Sequence, residues 1–304
     1  KKNYALKVIH PFVRYELFIV KYFIYYLTKL FDINNIILFD LNLFLIDFEQ
    51  QKDFINEGNN IMYFYHQYKD NHKIKIPQLN YLSNDLLIME FLEGKKINDF
   101  KEHNQYKYSL LFLLFVNNNL QFLKLNHGDL HEGNYKINDD KLIIYDFGYC
   151  WENHLKNVGL FDISLSVFSP INIYICDDDK INILIDTMHM LNIPDEYDDF
   201  IKDEYKNGEI TNGKEFVLFI IMIYKKKRIL IDINNINLLL TYINLYLYGT
   251  NAYFIELFNY CKTNNIFPSY QIVLKEHLRV LDELNKKNEN KIEDKFNHLK
   301  KYIV

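Results

Sequence analysis

The chain has 304 residues, enough for one large or two moderate domains. It is 49% hydrophobic and 25% charged, the balance of a soluble globular protein rather than a disordered or fibrous one. A net charge of −5 excludes a globally basic surface of the kind that binds nucleic acid.

The segment YALKVI, 4–9, alternates in polarity and predicts a strand, which His10-Pro11 ends. Residues 12–49 are apolar with helical spacing, interrupted by Arg14, Glu16, Lys21, Lys29 and Asp32, and predict two or three packed helices. Residues 54–69 predict a clearer helix, with Phe54, Ile61, Phe64, Tyr65 and Tyr68 on one apolar stripe. Glu57 sits on that same stripe, where a carboxylate is costly unless it meets a cation. IPQL, 76–79, and LLIMEF, 86–91, predict two strands around a turn at Ser83 to Asp85, and Gly94 starts a linker.

Leu113, Val116, Leu120 and Leu123 mark a helix that ends before His127. Leu142 to Tyr145 predicts a short strand. Beyond Gly148 the pattern is mostly helical, with Asp177 to Asp179 expected as a solvated loop. Examples are the spacings Leu274, Leu278, Leu281 and Ile292, Phe296, Leu299. The longest apolar run, FVLFIIMIY at 216–224, is too short to span a bilayer and predicts a buried helix. No secretory signal is visible, and the first residue is Lys1 rather than Met. Cys150, Cys176 and Cys261 are too widely spaced for a metal or redox pattern, so free thiols in a reducing compartment are expected.

One stretch concentrates the chemistry: HGDLHEGNYKINDDKLIIYDFG, 127–148. A carboxylate and an amide on one loop, Asp129 and Asn134, followed by Asp146 at a strand end, is how phosphoryl-transfer sites hold Mg²⁺. In chain order the strand with Lys7, the helix with Glu57, the strand ending Met89-Glu90-Phe91, the H-x-D-L-x-x-x-N loop and D-F-G repeat the protein-kinase order. D-F-G or A-L-K alone is a weak signal; the ordered set is a strong one.

In that arrangement Lys7 would neutralise the α and β phosphates of ATP, and Glu57 would hold its ammonium. Ala5 points the same way as Lys7 and is small enough to lie against adenine. The carbonyl of Glu90 and the amide of Leu92 would bond the adenine edge. Asp129 would orient or deprotonate the acceptor, and Asn134 and Asp146 would hold the metal. His127 is expected to brace the loop rather than react, and His131 and His10 are expected to be structural. Asp162 would either accept hydrogen bonds from the catalytic-loop backbone or cap a helix. Gly128 stands where many protein kinases carry Arg, and no A-P-E motif follows, so control through a phosphorylated activation loop is not expected.

HGDLHxGN is shared by aminoglycoside and choline phosphotransferases. Three other stretches choose a family. ALKVIHP resembles the A-V-K-V-Q-H-P strand of the UbiB/ADCK (aarF-domain) atypical kinases. DFINEGNN resembles that family's D-F-x-x-E-A-x-N, and LLIMEFLEGKKIND its L-V-M-E-F-x-x-G-x-x-I-x-D. Segment 12–49 looks like the family's own insertion, and IFPSYQIVLKEHLRVLDEL like a late family helix.

The resemblance implies an α+β, protein-kinase-like two-lobed fold. The small lobe, 1–92, would hold a short antiparallel sheet, helices and the 12–49 insertion. The large lobe, 93–304, would be mostly helical and carry the catalytic loop 127–134 and D-F-G at 146–148. It implies a kinase or ATPase with ATP and Mg²⁺ in the cleft, an unidentified small-molecule or lipid acceptor, and a link to ubiquinone biosynthesis or lipid metabolism. It also implies a mitochondrial or cytoplasmic setting and admits peripheral membrane association. Two departures bear on activity. The family's E-x-D is Gln51-Lys52-Asp53 here, and neither its K-x-G-Q helix nor its alanine-rich nucleotide loop is in the sequence. Weak ATP binding is therefore expected, and two rival readings follow: a catalytically impaired pseudokinase scaffold, and an aminoglycoside- or choline-type phosphotransferase.

Overall fold

The computed structural model describes residues 3–10, 12–30, 49, 52–123, 125–154, 175–208 and 210–247, with isolated positions at 161, 164, 167, 168, 263, 272, 275 and 279. The Asp162 and Gln51 readings, the second half of the 12–49 insertion and most positions beyond 247 lie outside the described residues. The chain forms two compact units, one of residues 1–153 with 228–244 and one of 154–227 with 245–304. The lobe division expected at residue 92 falls inside the first unit.

In the first unit, β1 (Tyr4–Val8) alternates as predicted, with Ala5 and Lys7 half-buried and Tyr4, Leu6 and Val8 exposed. It pairs antiparallel with β4 (Leu86–Glu90), which pairs antiparallel with β3 (Leu79–Leu82), in the order β1-β4-β3. The strand expected over 76–79 is displaced: pairing on β4 begins at Leu79 and runs to Leu82. Pro77 cannot donate to a ladder, so the regular pairing starts after it, with the Gln78 carbonyl already accepting the Glu90 N–H at 2.8 Å. At the β3–β4 turn the Ser83 N–H donates to the Leu86 carbonyl, and the Leu86 N–H donates to Ser83 Oγ.

Helix α1 (Val13–Leu30) opens the insertion, and α2 (Phe54–Tyr68) follows it. Asp53 caps α2, accepting from the N–H groups of Ile55 at 2.9 Å and Asn56 at 3.2 Å. Its buried stripe holds Phe54, Ile61, Phe64 and Tyr68, with Glu57 and Asn60 among them. At Gly58 an added Cβ would fall 2.5 Å from the Leu82 side chain, so glycine allows α2 to lie close against β3.

The predicted helix before His127 is α3 (Glu102–Phe122), buried on every side from Leu111 to Leu120. Its buried asparagines are satisfied. Asn118 donates to the Tyr68 hydroxyl at 3.0 Å, the Tyr68 hydroxyl donates to Asn119, and Tyr242 donates to Asn117 at 3.4 Å.

After α3, β5 (Leu125–His127) pairs antiparallel with β8 (Cys150–Glu152). Between them β6 (Tyr135–Asn138) and β7 (Lys141–Ile144) form a hairpin. Its two-residue turn places Asp139 at φ 47° and Asp140 at φ 59°, the paired left-handed geometry of a type I′ turn, which Asp tolerates. β2 (Ile74–Lys75) adds to β7 in parallel. Most of α7 (Ile233–Leu247) belongs to this unit.

The second unit contains α4 (Asp177–Met190), α5 (Asp198–Asn207) and α6 (Gly213–Lys227). The apolar run 216–224 lies in α6, with Phe216, Ile220 and Ile223 fully buried. Phe168 stacks on Phe216 at 4.7 Å, and the Tyr224 hydroxyl donates to the Leu191 carbonyl. Asp177 to Asp179 are not a loop but the first turn of α4, where negative charge meets the positive end of the helix dipole. Among the described residues no helix is long and apolar enough to cross a membrane. Cys150 and Cys176 are free.

Candidate nucleotide cleft

The register of β1 on β4 sets Ala5 opposite Met89 and Lys7 opposite Leu87. All four residues thereby sit on one short sheet, and Ala5 and Lys7 share a face. α2 brings Glu57 beneath that face. Lys7 Nζ lies 2.9 Å from both Glu57 oxygens and 2.8 Å from Asp146 Oδ1. The inward glutamate has met its cation, and the carboxylate at the end of β7 has joined them.

Charge follows from this geometry. Burial pushes the Glu57 carboxyl up, and the attraction of Lys7 offsets only part of that. Burial works against the Lys7 ammonium too, but Glu57 and Asp146 outweigh it and hold Lys7 above its usual value. Asp146 is opposed by burial as well, yet Lys7 and the Gly148 N–H hold it below the ordinary carboxylate range. Glu57 is fully buried while a third of Lys7 reaches solvent, so the desolvation cost falls mainly on the glutamate.

Asp146 has φ 54°, a left-handed conformation costly for most side chains. The surroundings hold it there. Asn60 of α2 donates to the Phe147 carbonyl at 3.0 Å, and Phe147 packs against Phe64 at 4.9 Å and His127 at 5.0 Å. His127 is itself buried. Its Nδ1 accepts the Asp129 N–H at 3.2 Å, so Nε2 carries the proton and donates to the Tyr145 carbonyl at 2.9 Å. One imidazole thus ties the catalytic-loop position to the residue before Asp146, and burial keeps it neutral.

Asn134 donates from Nδ2 to the Asp129 carbonyl at 2.8 Å and, at 3.4 Å, to Asp129 Oδ2. That fixes the amide so that its oxygen has no partner among the described residues. Asp129 is half-exposed, with His131 Nε2 3.6 Å from Oδ2. His131 Nδ1 accepts the Gly133 N–H at 3.0 Å, a loop-closing contact.

A cleft of about 320 Å³ opens between these groups. Ala5, Lys7, Glu57, Glu90, Leu92, Asn134 and Asp146 all line it, so seven of the eight expected residues share one cavity. Asp129 stands beside it, bonded to Asn134. Among the described residues no group of three or more His, Cys, Asp or Glu side chains gathers into a metal cage. Mg²⁺ keeps waters and takes one or two protein oxygens plus phosphate oxygens. The Asn134 and Asp146 oxygens fit such an ion.

Two lining residues with polar side chains escaped the sequence reading. Tyr145 donates its hydroxyl to the Leu92 carbonyl at 2.9 Å, and Lys136 Nζ lies 5.8 Å from the Tyr145 ring centre. Adjacency to D-F-G was the available signal for Tyr145, and the position two after Asn134 for Lys136.

The model of the ABC1 atypical kinase-like domain matches residues 1–165. The chain belongs to that family. The resemblance to UbiB/ADCK kinases is thereby borne out. A comparison with curated protein sequences gave no match. Among solved structures, this ABC1 family member is similar to the Rv3197–erythromycin complex from Mycobacterium tuberculosis, with a TM-score of 0.50 and 20% identity. The match covers 62% of this chain and 49% of that one, so the chain spans about half the length of that structure. At that identity the likeness shows the fold, which is the expected α+β, protein-kinase-like one.

Proposed function

We propose that this ABC1 family member is an atypical kinase or ATPase that binds MgATP in the cleft of its first unit. The observation that carries this reading is Lys7 held between Glu57 and Asp146 at 2.8–2.9 Å. An ammonium positioned by one buried carboxylate and shared with a second is set to meet phosphate oxygens, leaving Asp146 to a metal. When bound, Mg²⁺ would neutralise charge on the phosphates. Asn134 and Asp146 would hold it, Ala5 would lie against the base, and the Glu90 carbonyl and Leu92 amide would read the base edge. Asp129, open to solvent on one side, would accept the proton of an acceptor hydroxyl or orient a water. The lobes divide at residue 92 in this reading, with 93–304 as the large lobe.

The acceptor class is a small molecule or a lipid-linked one, and a place in ubiquinone or lipid metabolism is the family's suggestion. The test is Asp129-dependent turnover. ATP hydrolysis or phosphate transfer by the wild type should fall at least about a hundredfold in Asp129→Asn, in line with the loss of a general base. Turnover unchanged by that substitution would refute the assignment.

A further inference from the structure

We propose that His131 is a positioning residue that fixes which oxygen of Asp129 meets the acceptor. This rests on the kinase reading above and deepens it. The Asp129 backbone is held on both sides. Its N–H donates to His127 Nδ1, and its carbonyl accepts from Asn134 Nδ2 at 2.8 Å and from the His131 N–H at 3.1 Å. The carboxylate is held on one side only. Oδ2 faces two side-chain donors, Asn134 Nδ2 at 3.4 Å and His131 Nε2 at 3.6 Å. Oδ1 has no partner among the described residues.

The loop sets the ring up for this. The Gly133 N–H donates to Nδ1 at 3.0 Å, so Nδ1 keeps its lone pair and the proton sits on Nε2, the nitrogen near Asp129. A Cβ at Gly133 would lie 2.7 Å from Cε1 and 3.0 Å from Nδ1, so glycine is what lets the imidazole lie there. At 3.6 Å the Nε2–Oδ2 contact is electrostatic rather than a formed hydrogen bond, and catalytic contacts of this kind tighten when reactants bind. With Oδ2 turned to both N–H groups, Oδ1 is the atom left for the acceptor hydroxyl. As that hydroxyl proton passes to Oδ1, the acceptor oxygen bonds the γ-phosphorus and ADP leaves. Oδ2 keeps both donors throughout. Both side chains are half-exposed, so the contact adds little to folding, and its effect falls on turnover.

The experiment measures steady-state MgATP turnover by the full chain, giving kcat and KM, in wild type, His131→Ala and His131→Phe. Both variants lack the Nε2 donor, and phenylalanine keeps the bulk of the ring. Thermal melts check the fold. In both variants kcat should fall about tenfold, the scale of one charge-assisted hydrogen bond, with KM for MgATP within about twofold of wild type. Placed on Asp129→Asn, where the carboxylate is gone, His131→Ala should cost less than about twofold more, since it acts through that group. An unchanged kcat in the folded variants, a rise in KM alone, or a tenfold loss that persists on Asp129→Asn would overturn the positioning role and leave the kinase reading standing. Loss of folding in both variants would also overturn it, making His131 a structural residue. Absence of Asp129-dependent turnover in wild type would overturn the kinase reading itself, and this proposal with it.

Discussion

Glu57, fully buried in the first turn of α2, meets Lys7 on both carboxylate oxygens at 2.9 Å across fifty residues of sequence. Lys7→Met would leave that carboxylate buried with no cation. The expected cost is about 1–3 kcal/mol, below the ~3–5 kcal/mol of a fully enclosed pair because Lys7 is partly solvated. Removing both charges, in Lys7→Met with Glu57→Leu, should recover most of the loss in a urea-unfolding cycle without restoring nucleotide binding. Strictly additive losses would show that the two side chains do not stabilise the fold as a pair.

His127 gives the first unit a pH dependence of definite sign. Burial lowers its pKa in the folded state, so the unfolded chain takes up the proton first as pH falls. Its contribution is fully present above the ordinary histidine value and is lost as pH drops through the folded value. Urea midpoints should therefore decline between about pH 7 and about pH 5, before most carboxylates titrate. His127→Gln should flatten that slope. An identical slope in the variant would remove His127 as its source.

Two glycines make contrasting predictions. A Cβ at Gly128 would lie 2.5 and 2.6 Å from ring atoms of Tyr149 and 3.2 Å from the Trp151 ring, rigid groups that cannot step aside. Gly128→Ala should cost about 1–3 kcal/mol of stability. At Gly58 the obstacle is the end of the Leu82 side chain, which can change rotamer, and alanine gains about 1 kcal/mol of helix propensity. Gly58→Ala should be near neutral in thermal melts. A reversed order would contradict the packing described at Gly128.

The contrast between Lys7 and Tyr145 shows what was legible in the sequence. Lys7, Glu57, Asn134 and Asp146 could be found because each breaks or ends a local pattern, and their order along the chain matched a known set. Tyr145 reads locally as one more apolar strand residue. Its contact is with Leu92, 53 positions away, and no period or spacing encodes it. Asp177 to Asp179 were misread as a loop because a run of acids suggests solvent. The same run at the start of the apolar spacing Ile181, Leu184, Ile185, Met188 marks a helix N-terminus. Pro77 was the signal that 76–79 could not be a ladder strand throughout. The parallel pairing of β2 with β7 had no local signal, since it joins Ile74 to Leu142.

The most direct measurement is the thermal stability of the full chain with and without MgATP, in wild type and in Asp146→Asn. At 100 times Kd the ligand should stabilise wild type by about 2.7 kcal/mol. Asp146→Asn, which keeps the shape but loses the charge that faces Lys7 and a metal, should show a much smaller shift at the same concentration. No shift in wild type, or an equal shift in Asp146→Asn, would contradict the cleft as a MgATP site.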